Sequence, residues 1–155
     1  MKKLILAALV VFSLSSCEDE VRTNIPSFVT NIGYDYWRAE DMQAQVNGNT
    51  LTITAGDLTE KFKITIPNYE LGKTYSLGSS NQATVEYIEI IDEVEKTYVS
   101  TLGSGYVYLN EAELNEPNTI TGEFLADVKT TSGETVTLNK GIFYRIPITQ
   151  PVVVE

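Results

Sequence analysis

The chain has no histidine, one cysteine, one tryptophan, and only 11 basic residues against 21 acidic ones. Without histidine, Ser-His-Asp and Cys-His arrangements are excluded, and the usual general base near neutral pH is missing. A single cysteine closes no internal disulfide, and no stretch has the ligand spacing of a zinc site. A phosphate-cradling glycine loop and an EF-hand loop are absent as well, so neither cofactor nor metal is expected. The net charge of −10 argues against nucleic acid, since affinity for phosphate backbones comes from clustered Lys and Arg that release counterions. It also disfavours adsorption onto anionic headgroups. No apolar run approaches the ~20 residues needed to cross a hydrocarbon core of ~30 Å.

What is present begins with an address. Lys2 and Lys3 precede an apolar run from Leu4 to Leu14 broken only by Ser13, the charged-then-apolar layout of a secretory signal that is removed on export. Leu14-Ser15-Ser16-Cys17 resembles the lipobox of bacterial lipoproteins. That resemblance implies removal of residues 1–16, a diacylglyceryl thioether on Cys17, and a membrane partner reached through covalent lipid. At ~0.8 kcal/mol per buried CH₂, two or three acyl chains anchor stably where one is marginal. The alternative is an ordinary signal that leaves a free thiol in an exported protein, a compartment that favours paired cysteines. Glu18-Asp19-Glu20 resembles the acidic export signal that follows the cysteine in surface lipoproteins of Bacteroidota, and implies an outer-membrane protein facing the cell exterior. A solvated linker explains the same three acids.

Loss of the two leader lysines leaves a mature chain of charge −12, long enough for one domain. Nine Tyr and five Phe, with many β-branched residues, argue against disorder despite the acidity. Residues 17–27 read as a lipidated N-terminus and tether, and residues 28–155 as the folded domain. There the apolar period is two. Leu51 and Ile53 alternate with threonines, Phe62, Ile64 and Ile66 with Lys61, Lys63 and Thr65, each the pattern of a half-buried strand. In "TITGEFLADV", Ile120, Gly122, Phe124, Ala126 and Val128 share one face, and Leu125 is the apolar exception on the other. Gly122 inside this strand marks a bend or a close backbone approach.

Turn signals at Asn47-Gly48, Gly72, Gly78, Gly103 to Gly105, Ser132-Gly133 and Asn139 to Gly141 separate the runs by short connections, which join antiparallel neighbours. "YWRAEDMQAQV" is the one stretch where a helix competes, and Asn47-Gly48 ends it. The expected fold is all-β: a single antiparallel β-barrel or barrel-like β-sandwich of roughly nine or ten strands. "GKTYSL", "YVSTLGSGYVYLN", "TITGEF" and "GETVTLNKGIFYRIPI" resemble successive strand motifs of a Bacteroidota family of small lipoproteins with no assigned function, over about Phe28 to Ile148. The departure is Glu123, where that family usually carries a small hydroxyl residue. The resemblance implies an all-β body and a lipid anchor, and no activity.

Carboxylates are numerous: Glu86, Glu89, Asp92, Glu93 and Glu95 around one predicted hairpin, and Glu111, Glu113 and Glu116 in another connection. A pair at suitable separation suffices for glycoside hydrolysis, and such clusters also bind Ca²⁺ weakly. Acids at turns and on polar strand faces are, however, ordinarily solvated, so no catalytic residue is assigned. Aromatics offer the binding candidates. Tyr34, Tyr36 and Trp37 lie close in sequence, and Tyr106 and Tyr108 share one face of a strand whose other face carries Val107 and Leu109. A strand apolar on both faces is covered on both, lines a ligand cavity or presents a recognition patch; core packing explains tyrosines on half-buried strands first, and Trp37, Tyr106 and Tyr108 are the candidate ligand contacts under the other two readings. The expected function is a non-enzymatic binding or accessory lipoprotein of the cell envelope, with a glycan, small molecule or protein as partner. Two alternatives are an inhibitor or immunity protein against a basic partner, and a lipocalin-like carrier, which needs an empty barrel.

Overall fold

A computed structural model describes residues 25–78 and 82–149. Leu14, Ser15, Ser16, Cys17, Glu18, Asp19 and Glu20 lie outside the described residues. Ten strands form one sheet: β1 (Ser27–Ile32), β2 (Asp35–Arg38), β3 (Asp41–Asn47), β4 (Thr50–Gly56), β5 (Glu60–Ile66), β6 (Thr74–Ser76), β7 (Thr84–Ile91), β8 (Val94–Leu109), β9 (Thr119–Lys129) and β10 (Thr135–Thr149). The all-β, ring-bonded sheet agrees with the expected barrel or barrel-like sandwich. "YWRAEDMQAQV" is strand, divided between β2 and β3. Among the described residues the one helical piece in the element order is a 3₁₀ turn at Ala112–Leu114, and no helix is long and apolar enough to cross a membrane.

The path is an up-and-down ring. β6 and β7 run in the same direction along one edge of β8, bonding its second and first halves in turn. β1 and β3 share an edge of β10 in the same way: β1 bonds residues 138–144, and below its start β3 makes a short parallel contact, Ile148 with Ala44 and Thr149 with Gln45. Every other pairing is antiparallel. It follows that the β1–β2, β4–β5, β7–β8 and β9–β10 turns lie at one end of the ring, and that β1 runs from Ser27 toward that end.

Alternation drives the closure. Phe28, Leu51, Ile53, Phe62, Ile64, Val85, Tyr87, Val107, Phe124, Leu138 and Phe143 are each at most 2% exposed, and burial of such a side chain contributes about 1.5–3 kcal/mol. The interior is filled by a file of rings: Phe124 to Phe28 at 5.4 Å, Phe28 to Phe62 at 5.5 Å, Phe62 to Tyr87 at 5.0 Å and Tyr87 to Tyr98 at 5.4 Å. Gly122 and Gly141 make room for rings: a Cβ on Gly122 would stand 2.5 Å from the Phe143 ring, and one on Gly141 2.4 Å from that of Phe124. The close approach expected at Gly122 is thus observed.

The long strands β8 and β10 bend at register shifts between Val99 and Ser104, Leu138 and Gly141, and Phe143 and Ile146, as closure of a barrel requires. Buried hydroxyls sit where these shifts disturb the ladder. Ser100 Oγ accepts from Val85 N at 2.8 Å, Thr121 Oγ1 accepts from Arg145 N at 3.0 Å, and Thr30 Oγ1 donates to Asn139 O at 3.1 Å. Each satisfies a backbone group that would otherwise be buried unpaired.

Candidate functional site at the barrel mouth

Phe62, Tyr87 and Tyr98 are cross-strand partners in one inward-facing row over β5, β7 and β8. Two residues nearer the hairpin tips, on the same face by the period of two, the next row reads Glu60, Glu89 and Lys96, again cross-strand partners. An aromatic floor therefore carries a charged rim. Asp57 from the β4–β5 turn, Trp37 from β2 and Glu134 from the β9–β10 turn complete it.

Most of the rim is internally satisfied. Trp37 Nε1 donates to Asp57 at 2.8 Å while the Trp37 ring packs on Phe62 at 4.6 Å. Asp57 also accepts from Thr59 N at 2.7 Å, Glu60 N at 2.8 Å and the Thr59 hydroxyl at 3.1 Å. Burial pushes the Asp57 carboxyl up, but the Glu60 and Thr59 amides, the indole and the Thr59 hydroxyl outweigh it and hold it below the usual value. Lys96 Nζ contacts Glu134 at 2.6 Å and stands 5.3 Å from the centre of the Tyr98 ring. The Tyr98 hydroxyl faces Glu134 at 3.1 Å and Glu89 at 3.4 Å. The Lys96–Glu134 contact raises the ammonium and lowers the carboxyl, keeping both charged.

Two features are left over. Glu60 and Glu89 are directly opposed like charges, and no basic side chain among the described residues pairs with either: Lys61 goes to Glu95 at 3.0 Å, Lys63 to Glu86 at 3.4 Å and Lys96 to Glu134. Tyr87, 2% exposed as a residue, makes no hydrogen bond through its hydroxyl among the described residues, and that oxygen is not sealed from solvent. Burial, followed by the Glu89 and Glu60 charges, pushes its phenol far above the ordinary range, so it stays a neutral donor and acceptor. No group of three or more potential metal ligands occurs among the described residues.

The expected binding residues are not brought together. Trp37 is half-buried at the rim, its ring also edge-on to Phe28 at 6.2 Å, whereas its neighbours Tyr34 and Tyr36 are exposed. Tyr106 and Tyr108 are half-exposed on the outer wall of β8 with Val107 and Leu109 buried behind them. They face Leu125 and Glu123 of β9, and the Tyr106 hydroxyl lies 3.4 Å from Glu123. Of the expected carboxylates only Glu89 belongs to the rim; Asp92 and Glu93 form the β7–β8 turn with positive φ at both, Glu116 pairs with Arg145 at 2.7 Å, and nothing is described of the Glu113 side chain. An open cleft of about 590 Å³ on the outside of β4 and β5 adjoins the rim at Asp57 and Phe62 and is bordered further by Thr54, Lys63, Glu86 and Ile88. Sequence reasoning passed over Asp57, Glu60, Tyr87, Lys96, Tyr98 and Glu134. The available signal was an inward position occupied by a charge, as in Glu60-Lys61-Phe62 and Tyr87-Ile88-Glu89.

A family model described as Domain of unknown function (DUF6252) matches residues 24–147. The chain belongs to this family. The DUF6252 match opens just before β1 and closes within β10, so it takes in every element of the barrel and every residue of the rim. No curated protein and no solved structure matches the chain.

Proposed function

We propose that this DUF6252 protein is a lipid-anchored module of the outer membrane, facing the cell exterior, that binds a partner and catalyses nothing, in keeping with the small Bacteroidota lipoproteins it resembles. The observation that carries the reading is the disposition of the barrel's two ends. β1 leads away from the tether at Ser27 toward four hairpin turns, so a chain held by lipid on Cys17 extends those turns away from the bilayer. Lack of histidine and acids engaged in turns and ion pairs support binding over catalysis. The ring-filled interior favours a surface partner over a guest inside the barrel, as a carrier requires an unfilled lumen.

The anchor is tested by fractionating cells that carry wild type or Cys17→Ala, and the orientation by protease treatment of intact cells. Wild type is expected in the membrane fraction and cleaved on intact cells, and the variant released. Unchanged membrane association of Cys17→Ala refutes the anchor. Protection on intact cells with cleavage after lysis refutes the outward orientation.

A further inference from the structure

The tip end of the barrel combines four features. Glu60 and Glu89 oppose each other without a cation among the described residues. Beneath them lies Tyr87, buried except at a hydroxyl that has no partner among the described residues and stays open to the rim, and around them the turns expose Tyr34, Leu58, Ile91 and Val94. Lys96 shows which chemistry the rim accepts, since its ammonium rests on a carboxylate and an aromatic face together. That residue is committed to Glu134, so Glu60, which accepts from the Thr59 hydroxyl, and Glu89, which faces that of Tyr98, are left without a cation among the described residues.

We propose that this end is the docking surface for a basic protein, one lysine or arginine side chain of which enters between Glu60 and Glu89 and donates to both carboxylates and to the Tyr87 hydroxyl oxygen. Charge complementarity selects the partner: a mature chain of net −12 attracts a basic surface and accelerates its encounter. The exposed apolar turns select a protein over a free amine, because a small molecule seated at the centre leaves Leu58, Ile91 and Val94 in water, whereas a protein surface covers them. The inference rests on the binding reading above and is independent of the anchor.

Trp37 is the only tryptophan and stands on the rim, so its emission reports the site. The full chain is titrated with hexalysine at low salt, with hexaglutamine and n-butylamine in parallel. Hexalysine is expected to saturate and hexaglutamine to do nothing. Glu60→Gln and Glu89→Gln should each weaken binding by roughly fivefold or more, as loss of a close charge partner does, and Tyr87→Phe by about threefold. Glu93→Gln, which removes the same charge from the neighbouring turn, should change it less than about twofold. Lys96→Met, which frees Glu134, should tighten binding, a gain that misfolding does not produce. Equal losses in Glu60→Gln, Glu89→Gln and Glu93→Gln mean diffuse attraction to an acidic surface and overturn the site, as does the absence of a saturable response. A response to n-butylamine as strong per ammonium as that to hexalysine overturns the protein partner in favour of a small amine. With Cys17→Ala still released from membranes, a failed titration removes the cation site alone and leaves the anchored module standing.

Discussion

Replacing Tyr87 by Phe isolates one atom whose surroundings differ from those of every comparable tyrosine in the core. Tyr75, Tyr87 and Tyr98 are 7%, 2% and 1% exposed. The Tyr75 hydroxyl accepts from Glu70 N at 2.5 Å and donates to Glu70 O at 3.0 Å, and that of Tyr98 reaches Glu134 at 3.1 Å, while that of Tyr87 meets no partner among the described residues. An intramolecular hydrogen bond contributes about 0.5–1.5 kcal/mol net, and removing one partner strands the other. Tyr75→Phe should therefore cost about 1–2 kcal/mol and Tyr98→Phe about 1 kcal/mol. The Tyr87 hydroxyl has no protein partner to strand, and its oxygen is not sealed from solvent, so Tyr87→Phe should leave stability within about 0.5 kcal/mol of the wild type. For a domain of this size 1 kcal/mol moves Tm by roughly 3–5 °C. Thermal and urea unfolding of the three variants, followed by circular dichroism, gives the order directly. A Tyr87→Phe loss equal to that of Tyr98→Phe refutes the reasoning, because it requires a bonded hydroxyl and hence no open acceptor at the rim.

Two further outcomes follow from the packing and the charges. Gly141→Ala should destabilise by about 1–3 kcal/mol, seen as a lowered thermal midpoint, because its Cβ would lie 2.4–2.6 Å from the Phe124 ring and that ring is held against Phe28; an unchanged midpoint contradicts the filled interior. The Asp57 carboxyl is held below its ordinary value in the folded chain, so its contribution is complete above the unfolded value of about 3.9 and is withdrawn as pH falls through the lower folded one. Stability measured by Trp37 emission should decline over that acid range in the wild type and less in Asp57→Asn, and identical acid profiles count against the Asp57 cluster.

The strands were legible wherever one wall met the core and the other met water. In β9, Ile120, Phe124, Ala126 and Val128 are buried while Glu123 and Leu125 are exposed, as the alternation requires. Tyr106 and Tyr108 were ambiguous because a strand apolar on both faces reads alike whether a second layer covers it or not. In a single-walled barrel nothing does, and the tyrosines border the solvent. Tyr34, Tyr36 and Trp37 are near in sequence but part in the fold. Gly33, at positive φ, turns the chain and leaves Tyr34 on the tip, and the period of two then puts Tyr36 outward and Trp37 inward. The rim was not legible as a site because Trp37, Asp57, Glu60, Glu89, Lys96 and Glu134 come from five separate stretches of chain, and only closure of the ring sets them side by side.

A closed barrel obliges its inward-facing positions to become polar where each strand leaves the core, so charge at the rim alone signifies little. What matters is the balance within the row. Glu60, Glu89 and Lys96 stand side by side, and a lysine shared between the two glutamates would neutralise most of their repulsion. Glu134 and the Tyr98 ring draw the ammonium the other way, leaving like charges opposed at a cost of about 0.2–1 kcal/mol. That cost is small beside the several kcal/mol of a domain's stability, so the fold tolerates it. An arriving cation recovers it together with the hydrogen bonds of two carboxylates and one hydroxyl. The same local imbalance that slightly weakens the free barrel thus adds to the affinity of whatever neutralises it.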